Sequence, residues 1–218
     1  MNTPTPALRL LLVGATGAVG REVLAAALAE PRIACVIAPT RRPLPPHPRL
    51  DNPVVDLAGL PADSPIWKVD AVICTLGTTL KAAGSQAAFA AVDRDLAVRV
   101  ARLARAAGAT RHALNSSLGA SPQGNFYLRT KAEAEDGIRA LDYPFCTIVR
   151  PSLIDAVRTE SRPGERFGLW MARVLRPLIP GRYRPVKPQW IARALLDGVL
   201  REQPGVDIIE SEQLQPGP

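Results

Sequence analysis

The stretch Gly14-Ala15-Thr16-Gly17-Ala18-Val19-Gly20 decides the fold of this chain. It follows a short apolar run at residues 8–13, which fits a strand buried on both faces of a parallel sheet. Apolar residues then recur at helical spacing until the pattern stops at residues 30–31, Glu-Pro. Glycines here allow the backbone to turn tightly from the strand into the helix. The stretch therefore predicts a strand, a glycine turn and a helix, which begin a βαβ unit.

The same glycine turn has the chemistry of a phosphate site. Glycines let the backbone approach a pyrophosphate closely, and the start of the helix supplies N–H groups and the positive end of its dipole. We expect a dinucleotide to contact five residues of the turn, namely Gly14, Thr16, Gly17, Ala18 and Val19. A tight strand-to-helix turn without a ligand remains the alternative, because glycine spacing alone is a weak signal.

Apolar runs and helical patterns alternate along the rest of the chain. Further strands are predicted at residues 33–38, 53–57, 69–76, 112–117 and 145–149, with a last short one at 208–209. Predicted helices cover about residues 86–107, 126–141, 167–175 and 189–201. Residues 39–53 hold six prolines and predict a loop at the edge of the sheet. The alternation predicts an α/β fold of the Rossmann type, with a doubly wound parallel sheet and helices on both faces.

Length and composition are those of an ordinary globular protein. The chain has 218 residues, of which 47% are hydrophobic and 22% are charged. We expect a single domain over residues 1–218, in which about 154–218 form a small C-terminal extension on the substrate side. That extension is too short for a large substrate domain, so we expect a small substrate. A polar segment at residues 160–166 is either a lid over the site or a solvated loop.

Charge and hydropathy exclude several partner classes. The net charge is +7, but the arginines alternate with acids and form no basic block, so we expect no nucleic-acid binding. Every apolar run is far shorter than a membrane span, and the first residues lack the pattern of a secretion signal. The sequence therefore predicts a cytoplasmic protein without a membrane partner, as a monomer or a homodimer formed through the helices at 86–107 and 126–141.

Cysteine and histidine usage argues against a metal site. Cys35, Cys74 and Cys146 lie in apolar, strand-like runs without metal-ligand spacing, so we expect buried reduced thiols. The chain has only two histidines, which excludes a histidine-rich metal site. We predict no metal.

A second chemical signal lies near the start of the predicted helix at 126–141. Tyr127 and Lys131 are four residues apart and therefore share one helix face. A nearby ammonium stabilises a phenolate, which makes Tyr127 a candidate general acid or base. Ser116 or Ser117, at the end of the preceding strand, can hold a substrate oxygen by a hydrogen bond. The spacing does not separate the two serines, although we prefer Ser117.

The end of the second predicted strand bears on the choice of dinucleotide. Chains that select NAD usually carry Asp or Glu there to accept a hydrogen bond from the ribose 2′-hydroxyl. This chain has Ala38 instead, followed by Arg41 and Arg42, whose guanidinium groups can pair with a 2′-phosphate. We predict that NADP(H) is favoured over NAD(H). Two solvated arginines in a proline-rich loop are the alternative.

Several motifs together resemble the short-chain dehydrogenase/reductase superfamily, and in particular its atypical branch related to the Tat-interacting protein oxidoreductases. The resemblance spans nearly the whole chain. It is carried by residues 14–20, 40–42, 74–79, 92–95, 116–120, 127–131, 150–151 and 160–165. The proline-rich connection after the second strand departs from the family pattern and affects the adenine end of the pocket.

The resemblance implies a role for each matched segment. The glycine turn would bind the pyrophosphate, and Ser117, Tyr127 and Lys131 would form the catalytic set. The other residues implied to contact the cofactor are Asp56 and Leu57 at the adenine, Leu76, Gly77 and Thr78 along its side, Ser116 beside the catalytic serine, and Pro151, Ser152 and Leu153 over the nicotinamide. The implied function is an NADP(H)-dependent oxidoreductase that transfers a hydride to or from a small carbonyl or alcohol. The alternatives are a regulatory or sensor protein that binds NADP(H) with little catalysis, and an epimerase-like enzyme.

Overall fold

A computed structural model describes residues 7–155 and 180–215 of the chain. Seven strands form one parallel sheet in the order β3-β2-β1-β4-β5-β6-β7. Their bounds are β1 Leu8–Val13, β2 Ile33–Ile37, β3 Leu50–Asp51, β4 Ala71–Cys74, β5 Arg111–Asn115, β6 Phe145–Arg150 and β7 Gly205–Glu210. The chain builds outward from β1 to one edge and then returns to build from β4 to the other. The connections after β1 and β4 therefore diverge, which creates a crevice at the carboxyl ends of these strands.

The described helices connect the strands. They are α1 Ala18–Ala29, α2 Leu80–Ala83, α3 Gln86–Ala90, α4 Ala97–Ala106, α5 Phe126–Arg139 and α6 Pro188–Leu200. A π-helical turn, Ala91–Leu96, joins α3 to α4. The predicted helix at 86–107 is therefore continuous, with one π-helical turn between two α-helical segments. Short 3₁₀ turns lie at Leu57–Gly59, Pro65–Trp67, Gly181–Tyr183 and Ser211–Leu214.

Two apolar layers flank the sheet, because alternate residues of each strand point to opposite faces. Leu10 and Leu12 of β1 belong to the layer that contains α1 and α6. Leu11 and Val13 belong to the layer that contains α4 and Ile138 of α5. These four side chains, the last four of β1, are fully buried. The predicted doubly wound sheet with helices on both faces is confirmed.

The third strand was predicted in the wrong place. It is Leu50–Asp51, inside the proline-rich segment that was expected to be only a loop, and it pairs with β2 at the sheet edge. In the predicted segment at 53–57, Val54 makes one isolated bridge to Thr40. The chain then turns into the 3₁₀ turn Leu57–Gly59. The regular pairing falls in the four-residue run between Pro48 and Pro53, because proline has no backbone N–H to donate to a ladder.

The observed ends of the other strands differ from the predicted ends by smaller amounts. β4 and β5 are shorter at their carboxyl ends than predicted, because the chain there bends into the loops of the sheet edge. The last strand is longer than predicted and pairs with β6 along its whole length. The predicted helix at 167–175 and the candidate lid at 160–166 lie outside the described residues.

Three further findings concern the thiols, metal-ligand groups and helix hydropathy of the described residues. Cys74 and Cys146 are buried, and burial raises the pKa of both thiols to about 11, whereas Cys35 is only half-buried. In the ranges 7–155 and 180–215, no group of three or more His, Cys, Asp or Glu residues is placed to hold a metal ion. Within those ranges, no helix is both long and apolar enough to cross a membrane.

His112, in the middle of β5, is fully buried, and its ring lies 5.1 Å from the ring of Tyr143. Neither ring nitrogen has a hydrogen-bond partner in the described residues. Burial lowers the pKa of His112 to about 3 from its usual 6.5, because the charged form cannot be solvated there. The unfolded chain therefore binds a proton on this residue between pH 6.5 and pH 3, and the folded chain does not. The free energy of unfolding is therefore unaffected by this titration above pH 6.5, and it decreases as the pH falls below that value.

We expect His112→Leu to flatten the acid limb of the stability profile. Wild type should lose about 2 kcal/mol of unfolding free energy through this residue between pH 7.5 and pH 5. Urea unfolding at a series of pH values measures the difference. His47→Asn, at an exposed position, is the matched control for the loss of a histidine. Parallel pH profiles for wild type and His112→Leu would contradict the prediction.

Candidate functional site

The glycine turn brings three backbone segments into contact at the carboxyl ends of β1 and β4. Gly14 has a φ of +88°, and a Cβ atom there would lie 2.7 Å from the backbone carbonyl of Thr75. A Cβ atom on Gly20 would overlap the carbonyl oxygen of Gly14. The Gly17 N–H donates to that same carbonyl at 3.0 Å and closes the turn. Glycine is therefore required at positions 14 and 20, as the close approach demands.

The start of α1 is available to an anion. Gly17 is the N-cap residue, no side chain caps the helix, and the first turn contains no acid. Thr16 and Gly17 are exposed and Ala18 is half-buried, whereas the side chain of Val19 packs into the core. Of the predicted contacts, Val19 can therefore offer only its backbone. The turn leaves N–H groups and a positive dipole end at the edge of the sheet.

The end of β2 is held by a residue that the sequence did not indicate. The amide group of Asn52 donates to the carbonyl of Ala38 at 2.5 Å and to the hydroxyl of Thr40 at 2.8 Å. Thr40 in turn donates to the carbonyl of Arg42 at 2.6 Å. Arg41 and Arg42 are exposed, and neither makes an ion pair with a described residue. The two guanidinium groups thus follow a fixed backbone and remain unpaired in the described part of the chain.

Asp56 and Leu57, expected near the adenine, have structural partners in this protein. The Asp56 carboxylate accepts the N–H of Ala58 at 3.1 Å and caps the 3₁₀ turn that follows. Arg99 of α4 donates to the carbonyls of Leu57 at 3.3 Å and Leu60 at 2.5 Å. Leu57 is half-buried against the apolar layer under α4. A contact with the adenine stays a prediction for both residues.

A cavity of about 530 Å³ lies at the carboxyl ends of β5 and β6. Ser117 and Tyr127 line it together with Pro151, Ser152 and Leu153, the residues predicted to lie over the nicotinamide. The lining residues are Ser116, Ser117, Leu118, Tyr127, Pro151, Ser152, Leu153, Ile154 and Tyr183. Tyr183 was missed, since it sits in a Pro/Gly/Arg-rich loop with no local signal and reaches the cavity only through the tertiary fold.

The two candidate serines have different surroundings. The hydroxyl of Ser116 donates to the carboxylate of Glu135 at 2.5 Å, and both residues are buried. Ser117 is half-buried, and among the described residues its hydroxyl has only a 3.5 Å contact, with the carbonyl of Leu118. The Ser116 hydroxyl is therefore engaged inside the protein, whereas the Ser117 hydroxyl is available in the cavity.

Glu135 is fully buried and forms the centre of an ion-pair network. Arg150 donates to its two carboxylate oxygens at 3.0 and 2.6 Å and to Glu210 at 2.9 Å. Hydrogen bonding to Glu135 holds the pKa of Arg150 above its usual value. The network joins α5 to the ends of β5, β6 and β7, and it therefore fixes two of the strands that carry the cavity.

Lys131 lies behind Tyr127 and is paired with a buried acid. Its Nζ is 2.6 Å from Oδ1 of Asp93 and 5.9 Å from the centroid of the Tyr127 ring. The other carboxylate oxygen of Asp93 accepts the N–H of Thr78 at 2.9 Å. Asp93 belongs to the π-helical turn between α3 and α4. It contributed to the resemblance only as part of residues 92–95, and no local pattern linked it to Lys131.

The loop after β4 reaches the same ion pair. Gly77 lies against it, because a Cβ added there would be 3.6 Å from Asp93 Oδ1 and 3.9 Å from Lys131 Nζ. Thr78 is joined to it through its N–H, while Leu76 packs partly into the core. Two of the three residues predicted to flank the cofactor, Gly77 and Thr78, therefore contact the Asp93–Lys131 ion pair.

The start of α5 is firmly anchored. Asn125 caps the helix by accepting the N–H of Leu128 at 3.0 Å. The rings of Phe126 and Tyr127 pack on the buried ring of Phe89, with centroids 5.9 and 5.5 Å away. Tyr127 is the second residue of the helix, and its position is set by these contacts.

Relatives of known name share most of this chain. A family model described as NAD(P)H-binding matches residues 14–166. The protein HTATIP2 of Rattus norvegicus is 30% identical over 215 residues, which cover 94% of this chain and 87% of that protein. The protein fmp52, mitochondrial, of Emericella nidulans is 35% identical over 175 residues, covering 75% of this chain and 74% of that protein. Because this second name gives a mitochondrial location for that protein, the cytoplasmic location of this one stays a prediction.

Solved structures share the fold at low sequence identity. MoeE5 in complex with UDP-glucuronic acid and NAD has a TM-score of 0.71 at 19% identity, over 93% of this chain and 76% of that chain. The PhqB reductase domain from Penicillium fellutanum has a TM-score of 0.65 at 20% identity, over 95% and 68% of the two chains. The family match, the relatives and the parallel sheet lead to one conclusion: this chain belongs to the NAD(P)H-binding family, in the atypical branch of the short-chain dehydrogenase/reductase superfamily related to the Tat-interacting protein oxidoreductases.

Proposed function

We propose that this protein is an NADP(H)-dependent oxidoreductase that interconverts a small carbonyl compound and its alcohol. The observation that carries the proposal is the meeting of Ser117 and Tyr127 in one cavity with Lys131 behind the tyrosine ring. This cavity lies at the same edge of the sheet as the glycine turn. One domain over residues 1–218 would carry the whole site, with about 154–218 on the substrate side.

The residues of the glycine turn suit a dinucleotide. Side chains at positions 14 and 20 would collide with backbone, and the uncapped start of α1 suits a pyrophosphate. When bound, the nicotinamide donates or accepts the hydride. Arg41 and Arg42 would pair with a 2′-phosphate, and Pro151, Ser152 and Leu153 would lie beside the nicotinamide end.

The remaining roles belong to the side chains around the cavity. Tyr127 gives its hydroxyl proton to the carbonyl oxygen during reduction and takes it back during oxidation. Ser117 donates a hydrogen bond that orients the same oxygen. Lys131 supports the tyrosine and holds the ribose, and Asp93 keeps the lysine in place. A regulatory protein that binds NADP(H) without useful turnover is the alternative.

Replacement of Tyr127 by Phe tests the catalytic role. Loss of the proton donor should lower turnover about a hundredfold or more, because general acid catalysis contributes that much. NADPH affinity should stay near that of wild type, since the ring and its packing on Phe89 remain. The measurement is NADPH consumption with a panel of aldehydes and ketones, beside NADPH titration of both proteins. Equal turnover in the two proteins would refute the role of Tyr127, and absence of turnover in wild type would favour the regulatory alternative.

Cofactor choice is tested by titrating the protein with NADPH and NADH. Wild type should bind NADPH more tightly, and the double variant Arg41→Ala/Arg42→Ala should lose about ten- to a hundredfold of NADPH affinity with little change for NADH. Arg102→Ala, an exposed arginine on α4, controls for the loss of positive charge as such. Equal or tighter binding of NADH by wild type would overturn the predicted preference.

Asp93→Asn tests whether Asp93 keeps Lys131 in place. The variant retains an acceptor for the Thr78 N–H but leaves the buried ammonium without a counter-ion, which should cost about 3 kcal/mol of unfolding free energy. The double variant Asp93→Asn/Lys131→Met removes both charges and should recover part of that loss. Urea unfolding of the two variants and of Lys131→Met completes the cycle. An Asp93→Asn variant as stable as wild type would show that the ion pair with Asp93 does not hold Lys131 in place.

A further inference from the structure

We propose that the substrate of the cavity is uncharged: a neutral aldehyde or ketone with an apolar or aromatic body. This inference rests on the proposed function, because it concerns the same cavity and the same reacting oxygen. It goes further by ranking neutral substrates above carboxylated and phosphorylated ones. Three independent features of the described residues lead to it.

The first feature is the chemistry of the wall. None of the described lining residues carries a charge. Leu118, Pro151, Leu153 and Ile154 present apolar surface, while the polar groups are hydroxyls. Ser152 is already engaged, because its hydroxyl donates to the carbonyl of Arg184 at 2.5 Å. The wall therefore offers hydrogen bonds to one oxygen and apolar contact to the rest of a ligand.

The second feature is apolar surface at the rim. Leu153 is 70% exposed and Tyr183 is 55% exposed. They are two of only five large hydrophobic residues exposed among those the structure describes. Exposed apolar side chains that gather beside one cavity indicate a surface that an apolar group covers during binding.

The third feature is that two cations beside the cavity residues, the buried Lys131 and the half-buried Arg150, are already neutralised. Lys131 is paired with Asp93 at 2.6 Å, and Arg150 is paired with Glu135 and Glu210. An anionic substrate group would lose its hydration in the cavity and would find neither cation free to replace it. Outside the wall, the Arg182 guanidinium stacks on the Tyr183 ring, 5.1 Å from its centroid. The pairing of the site's own charges thus disfavours a charged ligand.

A matched pair of alcohols tests the inference by binding alone. Benzyl alcohol and 4-(hydroxymethyl)benzoate differ only in a carboxylate, and both would be products of the proposed reduction. We expect the protein, saturated with NADPH so that the bound alcohol cannot react, to bind benzyl alcohol at least about tenfold more tightly in calorimetric titration or ligand-observed NMR. Equal or tighter binding of the carboxylate, or no binding of either alcohol, would overturn the inference.

A charge placed at the rim provides the reciprocal test. Tyr183→Lys, at an exposed position, should raise the affinity for 4-(hydroxymethyl)benzoate several-fold and reduce the preference for benzyl alcohol. Tyr183→Met removes the ring without adding a charge and should keep the preference for benzyl alcohol. An unchanged carboxylate affinity in Tyr183→Lys would count against the assignment of this rim to the ligand.

The corresponding aldehydes separate this inference from the proposed function. Selective binding of benzyl alcohol together with NADPH consumption by benzaldehyde supports both. Selective binding without turnover of either aldehyde would remove the oxidoreductase function and leave the neutral-ligand site standing. Turnover of 4-carboxybenzaldehyde as fast as that of benzaldehyde would keep the function and overturn the inference.

Discussion

The contact between the glycine turn and the end of β4 is the constraint on which the nucleotide side of the molecule depends. The backbone at Gly14 lies against the Thr75 carbonyl, and Gly20 lies against Gly14, with no room for a side chain at either glycine. This approach lets α1 begin directly at the edge of the sheet, beside the crevice where the connections of β1 and β4 diverge. A positive helix end, a tight turn and a cleft thus depend on one steric requirement.

Two buried carboxylates organise the reaction side. Asp93 ties Lys131 of α5 to the loop after β4, and Glu135 ties the same helix to Arg150 at the end of β6. Lys131 and Glu135 are four residues apart, so one face of α5 carries both anchors. The first turn of that helix holds Tyr127, whose ring also packs on Phe89, so these anchors and that contact together place Tyr127 at the cavity.

The two ends of the site differ in whether their cationic side chains have acidic partners. Arg41 and Arg42 are exposed beside the glycine turn and have no ionic partner among the described residues. At the cavity, by contrast, Lys131 and Arg150 are both neutralised by buried acids. A ligand that is anionic at one end and neutral at the other would match this distribution. Burying cations with partners keeps them in fixed positions, although each pair on its own adds little to stability.

The sequence by itself determined the parallel α/β sheet, the glycine turn and the shared face of Tyr127 and Lys131, because each depends on spacing within a few residues. Only the tertiary structure decided which serine hydroxyl is available, since Glu135, nineteen residues after Ser116, engages that serine. It also decided the partner of Lys131, a π-helical acid 38 residues earlier in the chain, and the third strand, whose neighbour Asn52 bonds back to Ala38. Local periodicity reports which face of an element is buried, but a side-chain pair between distant elements forms only when packing brings them together.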